Sequence, residues 1–134
     1  MIAVDTNVLL RYLLRDDKEQ ADRSRHVFET AESILITDVG LAETLWTLMG
    51  SRYGAAKADL IAVVDKLLQE PNVRFEDDEV IWSALQAYRG TEADFADALI
   101  VHKALKTAST GNGLDAVYTF DSAALQLPKT AEPI

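Results

Sequence analysis

The chain has no cysteine, which excludes disulfides, thiolate metal centres and cysteine nucleophiles together and fits a reducing compartment. Histidine is nearly as scarce. With only His26 and His102, a histidine-ligated zinc centre would have to complete its shell with carboxylates, which suit harder ions better. Three prolines and six glycines in 134 residues leave no linker or low-complexity tract, and no run of about 18 apolar residues is present to span a bilayer. Met1 leads straight into an apolar stretch without a basic n-region, so neither a targeting signal nor a membrane partner is expected, and the expected location is cytoplasmic. Positive charge is also short. Thirteen Lys and Arg against 22 Asp and Glu leave a net charge of −9, whereas phosphate binding usually leaves a basic footprint.

What remains is a compact composition, 49% apolar and 26% charged, from which one domain over residues 1–134 is expected. Short apolar runs alternate with amphipathic stretches. Residues 2–4, 33–37, 73–75 and 117–120 read as buried strands; 6–14, 19–32, 38–50, 55–69, 77–88 and 92–107 read as helices, with a short helix over 122–125. Strands separated by helices predict an α/β fold of three layers, α/β/α, with a central parallel sheet and helices on both faces.

Four acids stand at telling places in this pattern. Asp5 follows the first strand directly and Asp121 closes the last one, and in open α/β sheets the crevice beyond the carboxyl ends of strands is where ligands bind. Asp97 has Ile100, Val101 and Ala104 at +3, +4 and +7, which places its carboxylate on an apolar face. Glu43 lies between Val39 and Trp46, four before and three after, and is expected beside buried surface as well. A buried carboxylate is driven towards its neutral form unless a cation compensates it, and no basic residue shares either helical face.

Each acid also has a structural reading. Asp5 and Asp121 could be helix caps, and Glu43 an interface or snorkelling residue. Asp94 fits a capping box with Thr91, which leaves it either a cap or an ancillary ligand, whereas Asp97 has no such role. Arg11, Arg15, Lys18, Arg23 and Arg25 make a locally basic stretch soon after Asp5, either a nucleic-acid contact or a solvated face neutralised by Asp16, Asp17, Glu19 and Asp22.

The segments MIAVDTNVLLRYLL, DVGLAETLWTL, DFADALIVHKAL and DAVYTFDSAALQLP together resemble a PIN domain, in particular the VapC-type toxins of type II toxin-antitoxin systems, over nearly the whole chain. The resemblance implies a metal-dependent ribonuclease, commonly homodimeric, held inactive by a VapB-type antitoxin. By position, Asp5, Glu43, Asp97 and Asp121 match the family's acidic site, and Thr6, Asn7 and Thr119 match its small polar neighbours. Asp94 leaves the ligand set open.

The chemistry is consistent with that resemblance. Carboxylates converging to about 5 Å repel by roughly 3 kcal/mol per ionised pair at an effective dielectric of about 20, so four of them need a cation. Mg2+ suits oxygen ligands with substrate phosphate and retained waters, and Mn2+ can substitute for it. Such an ion activates water for in-line attack on an RNA phosphodiester. Asp5 and Asp97 are expected as primary ligands, Glu43 as ligand or water-orienting base, Asp121 as a second-site or outer ligand, and Asn7 as an orienting group. A response-regulator receiver would need an acid pair at the first strand and a Lys after the last, and a haloacid-dehalogenase-type phosphatase would need a second Asp at position 7, where Asn7 stands. A PIN-like module that binds RNA or protein without cleaving it remains the alternative, and activity with metal and with chelator separates the two.

Overall fold

A computed structural model describes Met1–Ile134. It divides into two compact units, Met1–Asp78 and Glu79–Ile134. No helix is long and apolar enough to cross a membrane.

The first unit contains β1 (Ile2–Ala3), α1 (Thr6–Leu14), α2 (Lys18–Thr30), β2 (Ile34–Ile36), α3 (Asp38–Met49), α4 (Lys57–Gln69) and β3 (Val73–Phe75). Its strands form a parallel sheet in the order β1-β2-β3, with Ile2 opposite Ile34 and Ile34 opposite Val73. The middle strand supplies fully buried Ile34 and Ile36, and Leu9, Leu41, Val64 and Leu67 close over from the helices. Tyr12 of α1 stacks on Phe28 of α2 with ring centroids 3.9 Å apart, and the Asn72 amide ties the end of α2 by donating to the carbonyls of Phe28 and Ala31.

Helix starts follow local chemistry. Asp5, Asp17 and Thr37 each accept a first-turn backbone N–H, from Val8, Gln20 and Gly40, which satisfies donors that the helix itself leaves unpaired. Helix α4 begins two residues later than expected, where the Asp59 carboxylate accepts from the Ala56 N–H. Helix α1 ends at Arg15, whose φ of 56° lies in the left-handed region that favours glycine.

The second unit contains α5 from Glu79 onward (the helix spans Asp78–Gly90), α6 (Phe95–Ala108), β4 (Val117–Tyr118), a 3-10 turn (Ala124–Gln126) and β5 (Thr130–Ala131). Its two strands are also parallel, Val117 opposite Thr130. Ile81, Ala84 and Leu85 of α5 and Ala98, Leu99 and Val101 of α6 are buried in its core, and Tyr88 meets Phe95 edge-on at 6.0 Å. Lys106 pairs with Glu79 at 2.7 Å, and Trp82 is exposed.

The parallel α/β class is as expected, but two strands are shorter and more open than their apolar sequences suggest. In β1, Ile2 and Ala3 are exposed because the strand is a sheet edge, bonded only to β2. In β4, only Val117 and Tyr118 are in strand conformation, and Phe120 beyond them is 82% exposed. β5 has no counterpart in the sequence pattern, because it has two residues and no apolar run.

Candidate active-site acids

In the first unit, the N-cap that starts α1 places two of the expected residues. Asp5 spends Oδ1 on the Val8 N–H at 3.0 Å and is otherwise exposed at the end of β1. The next residue, Thr6, donates its hydroxyl to Glu43 Oε1 at 2.5 Å, so α1 is tied to α3 by a residue adjacent to Asp5. Thr47 further along α3 donates back to the Glu43 backbone carbonyl, and Glu43 itself is exposed.

The burial expected around Glu43 is not there. Val39 is 73% exposed and Trp46 69%, and Glu43 lies on the same open side of the helix between them. The core stripe of α3 is Leu41, Thr44, Leu45 and Leu48, on the opposite side of the helix. Thr44 joins this stripe because its hydroxyl donates to the Gly40 carbonyl and needs no water.

In the second unit, Asp94 is itself the N-cap of α6 and accepts from the Asp97 N–H at 2.8 Å. The helix therefore begins after Asp94, and Thr91 is no part of its cap. Thr91 instead donates to the Ala87 carbonyl at the end of α5. Asp97 falls in the first turn of α6, where the helix dipole favours an acid, so it does have a structural role. The apolar face expected around it holds in part: Val101, one turn further on, is buried together with Phe95, Ala98 and Leu99, while Ile100 is 57% exposed.

Asp97 is nonetheless half-buried and electrostatically frustrated. Desolvation raises its pKa above the ordinary carboxylate value, and the neighbouring charges of Asp94 and Asp121, with a hydrogen bond to Asp94, raise it further. Asp121 Oδ1 accepts from the N–H groups of Ala123 and Ala124 and starts the 3-10 turn, while its own N–H donates to Thr119 Oγ1 at 3.0 Å. The expected polar neighbour Thr119 thus fixes the backbone of Asp121.

The rule of an acid after an apolar strand also picks out Glu76, which is absent from the acids singled out in the sequence. Glu76 follows β3 and accepts from the Asp38 N–H at 2.6 Å, holding the start of α3. The pattern finds strand ends; it does not by itself distinguish caps from ligands.

Most of the basic stretch is the solvated, acid-neutralised face: Arg15, Lys18 and Arg23 are exposed, Arg23 lies 4.0 Å from Glu19 and Arg25 3.4 Å from Asp22, and Arg11 is the exception. Arg11 is largely buried and paired with Asp16, whose second oxygen accepts from the Tyr53 hydroxyl at 3.3 Å. Arg11 and Asn7 line a cavity of about 620 Å3 between α1 and α2, whereas Arg15 lines a separate one of about 450 Å3 with Arg25.

A model of the PIN domain matches residues 2–130. The chain belongs to the PIN domain family. No curated protein matches it. The helix-rich α/β architecture with parallel strands agrees with the three-layer α/β/α fold of PIN domains, which is generally a nuclease fold, typically metal-dependent.

The donor chemistry of this PIN domain suits a hard divalent ion. Every candidate ligand is a carboxylate, and the Asp97 charge is opposed by its neighbours without a compensating cation. As the side chains stand, however, no three His, Asp or Glu groups are gathered closely enough to hold a metal ion.

Proposed function

We propose that this PIN domain, taken as a single domain over residues 1–134, is a metal-dependent endoribonuclease and the VapC-type toxin of a VapBC-type pair, acting in the cytoplasm. Asp5, Glu43, Asp97 and Asp121 supply its acidic ligands, with Mg2+ as the ion and Mn2+ able to replace it. The observation that carries this reading is membership of the PIN family, joined to the placement of half-buried Asp97 beside Asp94 and Asp121: a carboxyl so opposed is a group that binding a cation would relieve.

A bound divalent ion supplies Lewis acidity, stabilising the charge that develops at phosphate and easing deprotonation of water. The chain's own groups do the rest. Thr6 holds one Glu43 oxygen, which leaves the other to accept a proton or orient water. The caps made by Asp5 and Asp121 fix those carboxylates relative to their helices, and each keeps its second oxygen outside the capping bonds.

As a VapC-type toxin the chain would form a homodimer and be inhibited by a VapB-type antitoxin. A basic side chain of that partner would bind the acids by charge-assisted hydrogen bonds and exclude both ion and RNA. A second reading, a PIN-like module that binds RNA or protein without cleaving it, is disfavoured by the intact acids at all four positions. Cleavage of total RNA in Mg2+ and in chelator, by wild type, Asp5→Asn and Asp97→Asn, tests the two. The nuclease reading expects metal-dependent cleavage that both variants abolish; no cleavage by wild type in Mg2+ or Mn2+ selects the binding module.

A further inference from the structure

The α1 and α2 helices carry cations that the acid chemistry leaves unused. Arg11, Arg15, Arg23 and Arg25 fall within 15 residues of a chain whose net charge is −9. Two of them are incompletely satisfied: the Nε atoms of Arg11 and Arg25 are buried, and neither has an acceptor. Those atoms are enclosed, so an anion in a neighbouring cavity would be met by the outer guanidinium nitrogens, which prefer an anionic acceptor. Arg11 opens onto the cavity between α1 and α2, where Asn7, Asp22, Arg23 and His26 also stand; Arg25 opens onto the second cavity, which the hairpin shares with Glu70 and Asn72.

We propose that the α1–α2 hairpin binds the backbone of single-stranded RNA, with one phosphodiester at Arg11 and Arg23 in the larger cavity and another at Arg25. The proposal rests on the ribonuclease reading above, since it names how that substrate is held. In the larger cavity Arg11 and Arg23 stand against Asp16 and Asp22, and in the second Arg15 and Arg25 stand against Glu29 and Glu70, so each locus is close to neutral before a ligand arrives. Such loci suit a singly charged phosphodiester better than a dianionic terminal phosphate. Two separate loci on one hairpin suit an anion that repeats along a chain. Arg11 lies six residues beyond Asp5, about 9 Å along the helix, so a strand seated there passes within a nucleotide or two of the candidate acid. Val8 and Val27 supply apolar wall for the sugar and base edges, and Gln20 and Ser24 add neutral hydrogen-bonding groups.

The test is fluorescence anisotropy with a labelled single-stranded RNA oligonucleotide in chelator, where binding is read without cleavage, over a series of salt concentrations. Arg23→Gln and Arg25→Gln should each weaken binding by about three- to tenfold and make the slope of log K against log salt shallower by about 0.7 for each phosphate no longer neutralised. Arg11→Gln should do the same; because its pair with Asp16 is structural, the other two variants decide if it fails to fold. Lys129→Gln should leave affinity and slope unchanged. Wild-type affinity and slope in both Arg23→Gln and Arg25→Gln overturn the proposal, as does equal binding of an oligoglutamate of the same charge. If these variants bind normally while wild type cleaves RNA in Mg2+, only the hairpin assignment fails; if they lose binding while wild type cleaves nothing, only the nuclease reading fails.

Discussion

The Thr6 hydroxyl donates to the Glu43 carboxylate across 37 residues of sequence, joining the first turn of α1 to the middle of α3. Thr6→Val should therefore release the carboxylate oxygen that this bond orients. Because the bond is solvent-accessible, the expected stability loss is small, about 1 kcal/mol or less by thermal melt. The expected loss of RNA cleavage is larger, on the order of tenfold, with Thr6→Ser retaining both. Equal cleavage by Thr6→Val and wild type would show that Glu43 orientation does not matter to the reaction.

Asp97→Asn should stabilise the metal-free protein at neutral pH. The folded-state pKa of Asp97 is raised, so its contribution is fully present below the ordinary value of 3.8 and is lost as pH rises through the higher folded value. Melts in chelator should show the variant gaining on wild type at pH 7 and not at pH 3. A variant that melts lower than wild type at pH 7 would mean that the first-turn dipole interaction outweighs the repulsion from Asp94 and Asp121.

Asp94→Ala should cost about 1 kcal/mol through loss of the α6 cap, and Asp94→Asn much less, since Asn caps as well as Asp. Cleavage by Asp94→Asn should stay within a few-fold of wild type. A collapse of Mg2+ affinity in calorimetry would make Asp94 a ligand as well as a cap.

His102 gives the second unit an acid-sensitive point. Burial lowers its pKa below the ordinary 6.5, and its Nε2 has no hydrogen-bond partner. The imidazole is folded in its neutral form, so its stability contribution is present above 6.5 and is lost as pH falls towards the lower folded value. The side chain lines a cavity of about 280 Å3 with Glu79, Ser83 and Lys106. Denaturant midpoints between pH 7 and pH 5 should fall more steeply for wild type than for His102→Leu. Parallel curves would remove His102 as the cause.

Much of this fold is legible in the sequence because capping chemistry is local. Asp5 and Asp17 each stand three residues before the N–H they accept, so the starts of α1 and α2 can be read from a few residues. The start of α6 is ambiguous at that level because Thr91 and Asp94 are both plausible caps three residues apart; what selects Asp94 is that Thr91 is already engaged with the end of α5. The face of α3 misleads for another reason. Val39 and Trp46 are more conspicuous than Thr44, yet burial follows the longer stripe that Leu41, Leu45 and Leu48 form with that threonine. The residue types of the candidate site are legible as well, but the orphan Nε atoms of Arg11 and Arg25 depend on packing between helices and leave no mark in the sequence.

The two tryptophans, Trp46 on α3 and Trp82 on α5, are both solvent-facing, and each unit holds one. Indoles already in water change their emission little when a protein unfolds, so intrinsic fluorescence is a poor gauge of melting here and circular dichroism a better one. The same exposure makes each indole a native optical reporter of coverage. A partner that dries the Glu43 face of α3 should shift Trp46 emission to the blue, and a Trp82→Phe variant would leave that indole as the only one in the chain.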